Sequence, residues 1–191
     1  MLDVRHAAIL QATRQLLCQK SFAAMTMDDV AAAVGIAKAS LYKHFSSKDE
    51  LCCAAVVQML GQVRAHLASL PAQAAPLEKL RAAVSWSLQR LLAQELPTWP
   101  GRHSPLYALL QTHPDCLSEW ALLSQCLQQW IALAQQQGAM DAALPPRVVL
   151  LTLYARACDP VVGLLQEAGG YCDADIVDWV LRTSFDGLAA R

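Results

Sequence analysis

The sequence predicts an all-α fold on three observations. Apolar residues recur at helical spacing in nearly every segment. The β-branched alternation that marks strands is absent. Prolines, glycines and capping residues punctuate the chain at intervals that suit helices.

The elements follow in order. A first helix is predicted over about 3 to 19, with Ile9, Ala12, Leu16 and Leu17 on one face and an end near Ser21. Thr26 then precedes MDDVAAAV, and Asp29 three residues on resembles a capping box with Asp in place of Glu, opening a short helix over about 27 to 33. Gly35 supplies the permissive backbone of a tight turn, and a second short helix over about 37 to 45 begins after Ile36. Ser47 and Glu50 form an S-x-x-E capping box for a long helix over about 48 to 69. Pro71 and the Ala/Gln stretch 72–75 break the chain, and Pro76 starts the next helix, which runs through Leu77, Leu80, Val84, Leu88 and Leu91 and stops before Pro97.

PTWPGRHSP at 97–105 is the longest loop signal. A short helix near 105 to 112 and a long one near 115 to 137, ended by Gly138, lie beyond it. Pro145-Pro146 opens another helix, which Pro160 should kink or interrupt and Gly169-Gly170 ends. The last helix, over about 173 to 188, shows Ile176, Val177, Val180, Leu181, Phe185 and Leu188 as a wide apolar face.

The 191 residues are enough to bury a core without disulfides. Hydrophobic residues make up 55% and charged residues 16%, against about 25% charged in an average soluble protein. Much of the surface is therefore expected to be covered, by a partner subunit or around a cavity. Polar and charged groups interrupt the aliphatic runs, so no membrane span is expected. The N-terminal MLDVRHAAIL lacks the pattern of a secretory signal, and a cytoplasmic location is expected. Seven cysteines, odd in number and without a C-x-x-C, signal neither a disulfide framework nor a zinc site, and no cofactor or metal is expected. Net charge is −1, and residues 1–50 carry six Lys/Arg against five Asp/Glu, too even a balance to establish nucleic-acid binding by itself.

The case rests on where those charges sit. Two short helices joined by a Gly-containing turn, with a longer helix on each side, match the helix-turn-helix pattern of DNA-binding domains. In the second short helix Leu41 and Phe45 share a face and can pack on Val30, Val34 and the first helix. Lys38, Ser40, Tyr42 and Lys43 then project away, where they can meet phosphates or base edges. Lys48 in the first turn of the next helix would reinforce an anion site there. His44 reads as a boundary-packing or phosphate-contact residue in preference to a pH switch.

GIAKASLYKHFSSKDEL at 35–51, with TMDDVA at 26–31 before it, resembles the signature of the tetracycline-repressor (TetR) family over about residues 6 to 60. The resemblance implies that Thr26 touches the DNA backbone, that Lys38, Ala39, Ser40, Lys43 and His44 face the groove or its edges, and that Tyr42 and Lys48 bind phosphate. It also implies an N-terminal three-helix DNA-binding domain over 1–50, motif about 26–45, and a larger helical bundle over 51–191 for effector binding and dimerisation. The sequence departs from the family pattern at Ala37, where Ser or Thr is common, at Ala39, where Gly is frequent, and at Lys20-Ser21-Phe22, where Gly is usual.

The same resemblance implies a homodimer formed through the last helices, for which Val148, Leu151, Ile176, Val180, Leu181 and Phe185 are the candidates. Two-fold symmetry would then match a palindromic double-stranded operator. It implies an effector pocket among the middle helices, for which Trp86, Trp99, Tyr107, Trp120, Trp130 and Tyr154 with Arg102, His103 and His113 are the candidates. Such a composition favours a small apolar or aromatic effector. The expected function is a transcriptional regulator, a repressor released by its effector and not an enzyme. The alternatives are a thiol-sensing regulator of the same fold, a module that binds only protein, and a small enzyme built on Cys52-Cys53 or His113-Pro114-Asp115-Cys116.

Overall fold

Residues 2–186 of the computed structural model are described here, and they form ten helices and no strand. These are α1 Leu2–Gln19, α2 Met27–Val34, α3 Lys38–Tyr42, α4 Lys48–Ser69, α5 Pro76–Leu92, α6 Pro105–Leu110, α7 Pro114–Gln136, α8 Pro146–Ala157, α9 Val161–Ala168 and α10 Asp173–Phe185. Leu188, expected on the face of the last helix, lies outside the described residues.

The capping residues behave as their chemistry requires. Gly35 has a left-handed backbone (φ 72°), its N–H donates to Ala32 O at 3.1 Å, and the Ile36 N–H donates to Ala31 O at 3.0 Å. This Schellman closure ends α2 and turns the chain toward α3. Ser47 caps α4 by accepting from the Glu50 N–H (3.1 Å), but the expected reciprocal bond is shifted by one residue. The Glu50 carboxylate takes the N–H and hydroxyl of Ser46, at 2.8 and 2.6 Å, instead of the N–H of Ser47. Both serines are polar neighbours at the same helix start, so the sequence pattern alone does not choose between them.

Pro160 interrupts its helix outright. Cys158 ends α8, and Asp159 is buried at the break, where its carboxylate pairs with Arg156 and accepts from the Val161 N–H at 3.0 Å to start α9. The missing proline N–H and ring volume account for the break.

The chain divides into two compact units. The first comprises Met1–Gln62 with Gln94–Trp120, and the second Val63–Ala93 with Ala121–Arg191. In the first, α2 packs on α1 and α3 on α2. Ile9, Met25, Val30, Leu41 and Leu51 are fully buried there, and Thr13 returns its hydroxyl to the Ile9 carbonyl at 2.8 Å, which satisfies a buried polar group. In the second unit α5 is central, packed by α8, α9 and α10, with Leu80, Leu88, Ile131, Val149 and Ile176 in the core.

Lys48–Ser69 and Pro146–Ala168 have the length and composition of membrane-crossing helices, where no such segment was expected. In the first, 44% of the most apolar window is buried within the molecule, and the second is broken at Asp159-Pro160.

Because Leu88 is completely enclosed around α5, Leu88→Ala is expected to cost about 2–5 kcal/mol of stability. Urea denaturation followed by circular dichroism measures this.

Candidate nucleic-acid interface

The interface begins at the cap of α2. Thr26 has an extended backbone, and its Oγ1 accepts from the Asp29 N–H at 3.1 Å. The Asp29 carboxylate in turn accepts from the Thr26 N–H (2.8 Å) and hydroxyl (2.9 Å), completing the expected capping box. Lys20, at the end of α1, adds an ion pair to Asp29 Oδ1 at 2.9 Å. The Lys20 hydrogen bond and then the two from Thr26 hold the Asp29 carboxyl down at about 2. Thr26 is exposed, with its hydroxyl engaged in the cap.

Gly35 directs the chain into α3, whose helical core is five residues long where about nine were expected. Its end tightens, with Lys43 N–H donating to Ser40 O and His44 N–H to Leu41 O, bonds of the three-residue type. This closing turn carries Phe45 into the core at 3% exposure, beside a completely buried Leu41. With those two anchored, Lys38, Ala39, Tyr42 and Lys43 are exposed, and Ser40 and His44 are half-buried at the edge. Ala37 stands at the N-cap without a side-chain bond, as the missing hydroxyl implies. His44 lies 6.2 Å from the His6 ring, which itself packs 4.8 Å from Phe45.

Two of the expected cations are engaged within the molecule. Lys38 Nζ pairs with Asp28 Oδ2 at 2.7 Å, a contact between exposed side chains that water and salt weaken. Lys48 Nζ points inward: it donates to Phe22 O at 2.9 Å and Met25 O at 3.1 Å and sits 4.3 Å from the centre of the Phe22 ring. An ammonium has three donors, so one remains for a phosphate. Lys48 is thus a clamp on the loop before α2, a role invisible in the sequence because it depends on a residue 26 positions away. Asp28 and Phe22 are the residues that sequence reasoning missed here.

The residues expected around an effector come from both units. Trp86, Trp130 and Tyr154 belong to the second unit, whereas Trp99, Arg102, His103, Tyr107, His113 and Trp120 belong to the first. Trp86 stacks on His66 at 4.7 Å and Trp130 lies 5.6 Å from Lys79 Nζ. Tyr154 shares a 2.8 Å hydrogen bond with Ser124. Trp99 and Trp120 pair at 4.7 Å, and Arg102 and His103 are exposed. Several of these aromatics therefore have local packing partners, a distinction that composition does not carry.

The expected dimer residues divide as well. Val148 and Leu151 are exposed, but Ile176, Val180, Leu181 and Phe185 are buried within their own unit. The apolar face of α10 is core, because it packs on α5 and α9. The exposed apolar side chains nearby in sequence include Val161 and Leu164 of α9, Tyr171 just before α10, and Trp179 of α10.

Five of the seven cysteines sit where burial disfavours a thiolate, and Cys172 is exposed at the start of α10. Burial pushes up the thiols of Cys18, Cys52, Cys53, Cys116 and Cys126, to about 12 for Cys52 and Cys116, the opposite of a reactive thiolate. Cys116 is buried against the carbonyl of Cys53 at 3.8 Å.

The sequence profile described as "Bacterial regulatory proteins, tetR family" matches residues 9–55. An uncharacterized HTH-type transcriptional regulator, YvaF of Bacillus subtilis (strain 168), is 45% identical over 56 residues, 29% of each chain. The HTH-type transcriptional regulator BetI of Rhizobium meliloti (strain 1021) is 28% identical over 102 residues, 52% of this chain and 50% of that one. The matches thus span about a third and a half of these relatives. The fold is shared more widely: AibR, solved in complex with isovaleryl coenzyme A and operator DNA, superposes with a TM-score of 0.64 at 20% identity, covering 95% of this chain and 98% of that one.

The depressed Asp29 pKa sets a pH dependence. Its stabilising contribution is complete above the ordinary carboxylate value of about 4 and is lost as pH falls through about 2. Acid titration of stability is expected to flatten over that window in Asp29→Asn, measured by urea denaturation at stepped pH.

Proposed function

We infer that this chain, a member of the tetR family of bacterial regulatory proteins through residues 9–55, is a sequence-specific DNA-binding transcriptional regulator. The observation that carries the reading is the outward face of α3: Leu41 and Phe45 are locked into the core, and Lys38, Ala39, Tyr42 and Lys43 stand exposed together. A helix so anchored can enter the major groove with cations and a phenol toward the DNA. In this reading Lys38, Ala39, Ser40, Lys43 and His44 meet the groove and its edges. Tyr42, Thr26 and the remaining donor of Lys48 meet the backbone.

The DNA-bound state has an internal competitor. Lys38 must leave Asp28 to reach a phosphate or base, so Asp28 sets part of the affinity. The regulator acts as a homodimer on a palindromic operator, with two recognition helices about 34–36 Å apart. A second copy covers Val148, Leu151, Val161, Leu164 and Trp179, which are exposed apolar side chains on the isolated chain. The reading extends to a repressor released by a small apolar or aromatic effector. AibR, with its bound isovaleryl coenzyme A and operator DNA, is a protein of this fold that holds both kinds of partner.

Selection of bound fragments from genomic DNA is expected to enrich a palindrome; failure to enrich any would contradict the reading. On the selected site, Lys43→Ala is expected to weaken binding and reduce the slope of log affinity against log salt by about 1. Asp28→Asn is expected to tighten binding by freeing Lys38. Equal affinities for the three proteins in fluorescence anisotropy would remove the assigned roles. Leu164→Glu is expected to shift the chain toward monomer in light scattering.

A further inference from the structure

A cavity of about 430 Å³ opens within the first unit. Its walls come from the end of α1 and the loop after it (residues 17–22), from α4 (Val56 and Met59), from the 97–104 loop, and from Leu106 and Leu110 of α6. Of the nine residues expected around an effector, Trp99 alone lines it. The volume falls at the lower end of the range of about 300–1,000 Å³ for ligand sites, which suits a compact molecule.

The lining has a defined polarity. Leu17, Phe22, Val56, Met59, Trp99 and Leu110 offer an apolar and partly aromatic surface, and the one charged residue of the lining is a cation, Lys20. No carboxylate lines the cavity. An apolar body with a single negative group is the chemistry that such walls complement, because the anion finds an ammonium and the body leaves water.

Two of the lining residues are connected directly to the reading helices. Lys20 is paired with Asp29, whose carboxylate completes the cap that starts α2. Phe22 is held by Lys48, which draws its carbonyl and that of Met25 to the first turn of α4, immediately after the recognition helix. An anion at Lys20 competes with Asp29 for the same ammonium, and a body packed on Phe22 presses on the clamp.

We propose that this cavity binds a compact, mainly apolar molecule carrying one acidic group, and that its binding draws Lys20 from Asp29 and loads Phe22, repositioning α2 and the recognition helix. The regulatory half rests on the DNA-binding reading; the site does not. For the shift to occur the ligand must bind the repositioned state more tightly than the DNA-bound one.

The probe for the test is 8-anilinonaphthalene-1-sulfonate, an aromatic body with one sulfonate, titrated into the full chain and followed by its fluorescence. Ser104→Trp fills the cavity from a position whose side chain makes no capping bond, and Thr98→Trp does so from the exposed rim. Melting curves identify a filling variant that folds. Saturable binding to the native chain is expected, weakened about tenfold or more by the filling variant and about fivefold by Lys20→Gln, each tenfold being about 1.4 kcal/mol. Arg147→Gln, an exposed charge loss on α8, is the control and is expected to bind as the native chain does. Unchanged affinity in both the filling variant and Lys20→Gln overturns the site. Saturating probe is then expected to weaken binding of the native chain, but not of the filling variant, to selected DNA. Full DNA affinity with probe bound overturns the coupling. A native chain that binds no DNA would instead contradict the reading of the interface and remove the regulatory half with it, while the first titration still decides the site.

Discussion

The burial of Leu41 and Phe45 is the constraint on which the interface depends. A helix of five residues cannot hold its shape alone, since nucleation is costly and few bonds repay it. α3 exists because Leu41 is completely enclosed and Phe45 nearly so, on a chain that Gly35 has already turned. The same two contacts fix the rotation of α3 about its axis. A one-residue slip would turn Lys38, Tyr42 and Lys43 by about 100°, away from the face they share.

Around that anchor, charge is used sparingly. Lys20 and Lys38 are each paired with an aspartate, and Lys48 is drawn toward two carbonyls and a phenylalanine ring. This internal pairing is the physical counterpart of the small charge excess in residues 1–50. A surface of this kind depends less on long-range attraction and more on the release and re-formation of particular pairs. That makes the interface sensitive to anything that competes for the same ammonium groups.

Local chemistry was legible in the sequence and long-range chemistry was not. The Thr26 and Asp29 box, the Gly35 turn, the Pro76 start and the Pro160 break all depend on residues within a few positions of one another, and the structure has each. The inward turn of Lys48 toward Phe22 and the pairing of Lys38 with Asp28 join segments that only the tertiary fold brings together. The periodicity of α10 reports that Ile176 and Phe185 need covering but not what covers them, and in the structure α10 packs on α5 and α9. Aromatic composition likewise announced tryptophans without placing them: Trp86 packs on His66 and Trp130 lies over Lys79.

The central claim is that the face set by Leu41 and Phe45 is the one that meets DNA. Nitrogen-15 NMR of the full chain titrated with a selected duplex tests it most directly. The account predicts that amide shifts concentrate at Thr26 and from Lys38 to His44, with Leu41 and Phe45 remaining protected from exchange. Shifts confined to helices outside residues 26–48, or loss of protection at Leu41 and Phe45 on binding, would contradict it.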